Sequence, residues 1–149
     1  MRTTAQVATE ADRPVLAQFR SVWTAEVHPG GADTAFADRF SSWLDAQRGW
    51  RTFWIARDDA RPVGMVNLLV IERMPRPGLP SGGWGYLGNL FVLPAYRRSG
   101  VGTLLVEAVL SHATARDLER VIVHPNDASL PFWNRSPFSE TSDLFVWAA

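Results

Sequence analysis

Between Leu87 and Arg116 an apolar run, a proline, a basic glycine-containing turn and a helical pattern follow one another directly, and this order constrains the fold more than any other stretch. Leu90, Phe91, Val92 and Leu93 suit a buried strand, and Pro94 ends it because proline has no N–H to give a ladder. Val101, Leu104, Leu105, Ala108 and Val109 then recur at spacings of three and four, the period of a helix with one apolar face. Gly100 and Gly102 therefore sit at a strand-to-helix turn.

Such a turn has a chemical meaning. The first amides of a helix have no intrahelical partner, and the aligned peptide dipoles favour an anion there. Glycines keep Cβ atoms away from those amides, and Arg97 and Arg98 add guanidinium donors suited to phosphate oxygens. The predicted ligand is a phosphate or pyrophosphate. A Walker loop is excluded because Gly102 is followed by Thr103 with no lysine nearby, and a dinucleotide fingerprint because position 105 is leucine. The plain alternative is a solvated turn whose glycines only cap a helix.

The series Asn89, Leu90, Phe91, Val92, Pro94, Tyr96, Arg97, Arg98, Gly100, Gly102 and Leu105 resembles motif A of the GNAT superfamily of acyl-CoA-dependent N-acyltransferases. The resemblance implies that Leu90, Phe91 and Val92 offer backbone groups to the pantetheine arm and thioester. It also implies that Arg97, Arg98, Ser99, Gly100, Val101, Gly102 and Thr103 surround the pyrophosphate of acetyl-CoA. Further on, Asn126, Ser129, Phe132, Trp133 and Phe138 resemble the family's motif B, with Pro137 where glycine is usual. There Asn126 would bond the pantetheine region; its plain alternative is a helix cap after Pro125. Trp133 occupies the cofactor-side position where many members place a tyrosine acid.

The rest of the chain reads in an order consistent with that family. Residues 2–8 read as a strand, and Thr9 with Glu10 to Asp12 reads as a cap before a helix carrying Val15, Leu16, Phe19, Val22 and Trp23. Asp33 or Thr34 caps a second helix with Phe36, Phe40, Trp43 and Leu44 on one face, ended by Gly49. Thr52 to Ala56 and Val63 to Ile71 form an antiparallel hairpin around Asp58 and Asp59. Arg73 to Gly83, rich in proline and glycine, is a loop: a surface connection or a lid over the acceptor. Trp84 to Leu93 is the central strand, and Arg120 to His124 is its parallel neighbour beyond a crossover helix. Leu144 to Trp147 is expected to form a last strand. The expected architecture is a single α/β domain of the α+β type spanning residues 1–149. Its mixed, mostly antiparallel sheet has roughly six or seven strands with about four helices on both faces, and the central parallel pair is splayed for acyl-CoA.

Composition bounds the function. A chain of 149 residues with zero formal charge gives no reason for wholesale binding to nucleic acid or an acidic membrane. No apolar stretch reaches about 18 residues and no leader is recognised, so a soluble, cytoplasmic protein is expected. The absence of cysteine excludes disulfides, thiolate metal sites and an acyl-cysteine route; no metal is expected.

The resemblance implies transfer of acetyl from acetyl-CoA to a primary amine of a small molecule or peptide; the alternative is an acyl-CoA sensor with little turnover. Two departures bear on the chemistry: the usual tyrosine acid is Trp133, and the usual glutamate base corresponds to about Tyr86. Amine attack on a thioester depends mainly on positioning and carbonyl polarisation, so neither departure abolishes it. Replacement candidates are Tyr86 as acid and Glu72, His28 or His124 as base, each with an ordinary packing or solvated role as its alternative. Trp23, His28, Trp84 and Trp133 are candidate lining for the acceptor, and Glu26 or Asp33 would attract a cationic amine. The resemblance also admits a homodimer, with Phe145 to Trp147 as candidate contacts.

Overall fold

A computed structural model describes residues 2–149. The chain runs β1 (Thr3–Val7), a 3-10 turn (Glu10–Asp12), α1 (Arg13–Val27), α2 (Phe36–Ala46), β2 (Arg51–Asp58), β3 (Arg61–Glu72), β4 (Gly83–Val92), a second 3-10 turn (Pro94–Tyr96), α3 (Val101–Ala115), β5 (Arg120–Val123) and α4 (Leu130–Asn134). The sheet order is β1-β2-β3-β4-β5. All pairs are antiparallel except β4 with β5, which are parallel as the crossover through α3 requires.

Side-chain alternation divides the core in two. Trp54 and Ala56 of β2, Val66, Leu68 and Val70 of β3 and Leu87 of β4 pack under α3 and α4, against Leu105, Val106, Val109 and Trp133. Phe53, Ile55, Met65 and Phe91 face the other way, under Leu16 and Phe19 of α1 and Phe40 and Leu44 of α2. Full burial of a side chain such as Ile55 or Leu105 contributes about 1.5–3 kcal/mol, so both faces of the sheet hold it between its helices.

The helix starts follow from local chemistry. Thr9 and Asp12 form a capping box, and α1 begins behind it with Pro14 in its first turn, where its missing N–H costs nothing. Asp33 accepts the Ala35 N–H at 3.1 Å at the head of α2, and Gly49 turns the chain with φ of +80° behind it. Residues 73–82 connect β3 and β4 as a surface link. Arg73 and Arg76 are both held by Glu119, at the end of the sheet opposite the β4–α3 turn, a position that does not suit a lid.

The sheet has five strands rather than six or seven, because Leu144–Trp147 forms none. Asp143 is fixed to both guanidinium nitrogens of Arg120 at 2.9 and 3.1 Å, and the apolar residues after it find no ladder partner. Phe145, Val146 and Trp147 are fully or almost fully exposed. No helix among the described residues is long and apolar enough to cross a membrane.

His112 lies inside the α3 face with its ring against Trp54, centroids 5.1 Å apart, and its Nε2 has no hydrogen-bond partner among the described residues. Burial pushes its pKa below 6.5, with Arg116 acting in the same direction. Below that pH the unfolded chain takes up the proton more readily than the folded one. Stability is therefore full above about pH 6.5, falls as the pH drops below it, and levels off under the folded pKa. Melting temperatures at about pH 7.5 and 5.5 are expected to differ less in His112→Gln than in the parent; an unchanged difference would remove His112 as the cause.

Candidate functional site

β4 is the element on which the site is built. Its first half pairs with β5 through Trp84 with Arg120 up to Leu87 with Val123, and there β5 ends. From Gly88 onward β4 has no strand on that side, so the parallel pair opens at its carboxyl end, where α/β sheets receive ligands. On the other side the register with β3 slips: Met65 opposes Phe91 and Asn67 opposes Gly88, leaving Asn89 and Leu90 opposite Val66 alone. This is a bulge, with Asn89 at φ of +55°, a conformation asparagine tolerates better than most residues.

The bulge is braced from beneath. Asn67, a wholly buried residue, donates from Nδ2 to Asn89 Oδ1 at 2.8 Å, and its own Oδ1 accepts from Arg51 Nη1. A buried amide satisfied on both ends fixes the strand at the point where it bends. Phe91, one residue beyond Leu90, turns its ring into the α1 face, stacked on Trp23 with centroids 5.7 Å apart.

The chain then enters the turn before α3. Gly100 stands at the helix N-cap with φ of +88°, which a Cβ would strain. The first bond into the helix is from Leu104 N–H to the Gly100 carbonyl, at 3.0 Å. The amides of Val101, Gly102 and Thr103 therefore have no acceptor among the described residues and point out at the helix end, as an anion cradle needs. Arg98 is exposed beside them and has no carboxylate partner among the described residues; Ser99 turns its hydroxyl back to the Tyr96 carbonyl. Gly102 serves a different need from Gly100. A Cβ there would lie 3.2 Å from the Phe132 ring, so its absence lets α4 close on α3.

Arg97 is not a free phosphate ligand. Its Nε donates to the Val92 carbonyl and its Nη2 to both Glu26 oxygens, each at 2.9 Å, so it latches the end of α1 to the strand end. Asn126 holds the turn into α4, its Oδ1 accepting the Ser129 N–H at 2.8 Å and its backbone N–H donating to Ser129 Oγ at 3.1 Å, while its side-chain N–H groups have no acceptor among the described residues. Trp133 is buried, edge-on to Phe132 and Phe138, and contributes to packing under α3.

The remaining candidates separate by position. Tyr86 lies in the row before the bulge, its ring 3.8 Å from where a Cβ on Gly88 would be. His124 is exposed one residue past the last β4–β5 pair, at the mouth of the opening. Glu72 pairs with Gly83 at the far end of β4, five residues from Gly88 and so roughly 16 Å along the strand. Trp84 sits two residues before Tyr86 with Arg120 over its ring at 4.7 Å. Trp23 lines the α1 side under Arg20, and His28 is exposed at the end of that helix. Glu26 and Asp33 are both taken by arginines, Arg97 and Arg39.

A groove of about 910 Å³ runs elsewhere, between the second half of α3, β5, α4 and residues 137–144. It includes neither the bulge nor the amides of the α3 turn.

The model of the Acetyltransferase (GNAT) family matches residues 16–138. No curated protein matches. Among solved structures, a predicted acetyltransferase with acetyl-CoA from Clostridium acetobutylicum has a TM-score of 0.78 at 15% identity, over 99% of this chain and 96% of that one. A GCN5-related N-acetyltransferase from Ralstonia eutropha JMP134 has 0.75 at 23% identity, over 99% of each chain. A glucosamine-6-phosphate N-acetyltransferase from Arabidopsis thaliana has 0.74 at 12% identity, again over 99% of each. At these identities the likeness is one of fold.

Proposed function

The chain belongs to the GNAT acetyltransferase family, and from that premise we propose that it moves acetyl from acetyl-CoA to a primary amine of a small molecule or peptide, in a ternary complex without an acyl-enzyme. The observation that carries this reading is the continuity of one opened strand edge with three unpaired amides at the head of α3. A thioester laid along β4 and a pyrophosphate at the helix end fit that arrangement.

In the proposed reaction the neutral amine nitrogen adds to the thioester carbonyl carbon, the C–S bond breaks, the nitrogen loses a proton and the sulfur gains one. Backbone donors at the bulge would polarise the carbonyl, and the fixed strand would hold amine and carbonyl in line. Tyr86 is the candidate donor to sulfur, since its ring reaches Gly88. His124, exposed at the mouth, is better placed than Glu72 or His28 to take the amine proton through water. A thiolate leaves readily, which makes a weak acid tolerable.

The test is calorimetric titration with acetyl-CoA, followed by thiol release with a panel of amines. The chain has no lysine, its 15 cationic side chains all being arginines, so release reports added acceptor and not acylation of its own side chains. Amine-dependent release is expected, and Tyr86→Phe should lower kcat about tenfold or more with acetyl-CoA affinity unchanged. Binding without release across the panel would favour the sensor, and absence of binding would end both readings.

A further inference from the structure

We infer that the acceptor amine also carries a carboxylate a few bonds away, and that Arg51 receives it; this rests on the transferase reading above. Arg51 opens β2 opposite Leu69, Leu69 is opposite Tyr86, and Tyr86 is opposite Ile122. Cross-strand neighbours share a face, so these four side chains form one row on the α1–α2 side, adjoining the row of Asn67 and Gly88 at the bulge.

The guanidinium there has only neutral partners. Its Nε donates to Gln47 Oε1 at 3.0 Å, its Nη1 to Asn67, and its plane lies over the Trp43 ring at 5.2 Å. Its Nη2 has no acceptor, and no carboxylate pairs with it, among the described residues. Half-burial lowers its pKa, with the Tyr86 phenol the one opposing influence. A cation drawn from water without a counter-charge is unfavourable, and a bound carboxylate supplies that charge with two oxygens matched to the guanidinium fork.

The acidic residues point to the same conclusion. Glu26 is held by Arg97 and Asp33 by Arg39, so the two carboxylates that would attract a cationic acceptor are already neutralised. Beside the Asn67 brace, the Arg51 guanidinium is a positive charge with no carboxylate partner among the described residues. Its distance from the reacting strand sets the ligand's size. From Arg51 Nη1 to Asn89 Oδ1 the path is two hydrogen bonds and the width of the Asn67 amide, so the guanidinium stands within about 8 Å of the bulge side chain. That suits an amino acid and not a polyamine or a lysine side chain in a protein. Leu69 and Ile122, half-buried in the same row, would meet an apolar side chain.

The experiment titrates coenzyme A-loaded protein with leucine, phenylalanine and methionine, each beside its carboxamide and its decarboxylated amine, and follows thiol release from acetyl-CoA with the same compounds. In at least one series the acid is expected to bind ten times or more tighter than both analogues. Arg51→Gln should bring the three within about twofold, a ratio that is read within one variant and so is independent of any change in the brace that Arg51 gives Asn67 beneath the bulge; Arg51→Lys, keeping the charge without the fork, should fall between. Acids that bind no better than amides in every series, or that do not bind, overturn the inference, and the parent comparison decides this even if a variant misfolds. Acid-selective binding without thiol release would instead overturn the transferase reading, and neutral amines acetylated as well as acids would leave transfer standing and remove the role of Arg51.

Discussion

Gly100→Val is expected to weaken acetyl-CoA binding by at least about a hundredfold, near 2.7 kcal/mol, with only a small change in melting temperature. At φ of +88° a β-branched residue is strained by about 1–3 kcal/mol. The turn is exposed and has nothing within 4 Å of the new Cβ, so the chain can relieve that strain by rotating φ to negative values. The rotation turns the amides of Val101, Gly102 and Thr103 away from a common point, and the cradle is lost although the helix survives. Gly31→Val is the control, in an exposed loop with neither positive φ nor a neighbour within 4 Å. If Gly100→Val binds acetyl-CoA like the parent, the α3 amides do not hold the ligand.

The second large effect is on stability. Leu105→Ala should lower the unfolding free energy by about 2–5 kcal/mol, toward the upper end. Leu105 is wholly buried where α3 crosses β3, and its δ1 carbon would be 3.3 Å from a Cβ on Gly64. The space left by truncation has the β3 backbone as one wall, and that backbone is held by β2 and β4 on either side, so it cannot collapse inward. A urea titration should show a lower midpoint with an unchanged slope; a loss below about 1 kcal/mol would mean that the site refills.

How far the sequence could be read follows from how far apart the interacting residues are. β4, its turn and α3 were legible because strand, proline, glycines and helical period are contiguous, and the left-handed Gly100 is a local demand. The bracing of the bulge was not. Arg51, Asn67 and Asn89 meet across separations of 16 and 22 residues, and no residue pattern fixes the register that joins them. The available signal was Asn67 itself, an amide inside an apolar strand pattern, which implies a partner. Arg97 was misleading for the same reason: its role depends on Glu26, 71 residues away. Leu144–Trp147 has the composition of a strand, yet strand propensity reflects fit to a neighbouring surface, and after Asp143 is tied to Arg120 no such surface is offered.

On the proposed reading, the Arg97–Glu26 pair would couple the two halves of the cleft. Arg97 adjoins the phosphate turn, while Glu26 belongs to α1, whose Trp23 walls the acceptor side. Any ligand that draws Arg97 toward itself loosens α1, and any acceptor that holds α1 in place alters what Arg97 can give. Reciprocity then requires the factor by which the nucleotide changes acceptor affinity to equal the factor by which the acceptor changes nucleotide affinity. Order of addition would in that case depend on one ion pair, and Glu26→Gln, which releases Arg97, would alter it.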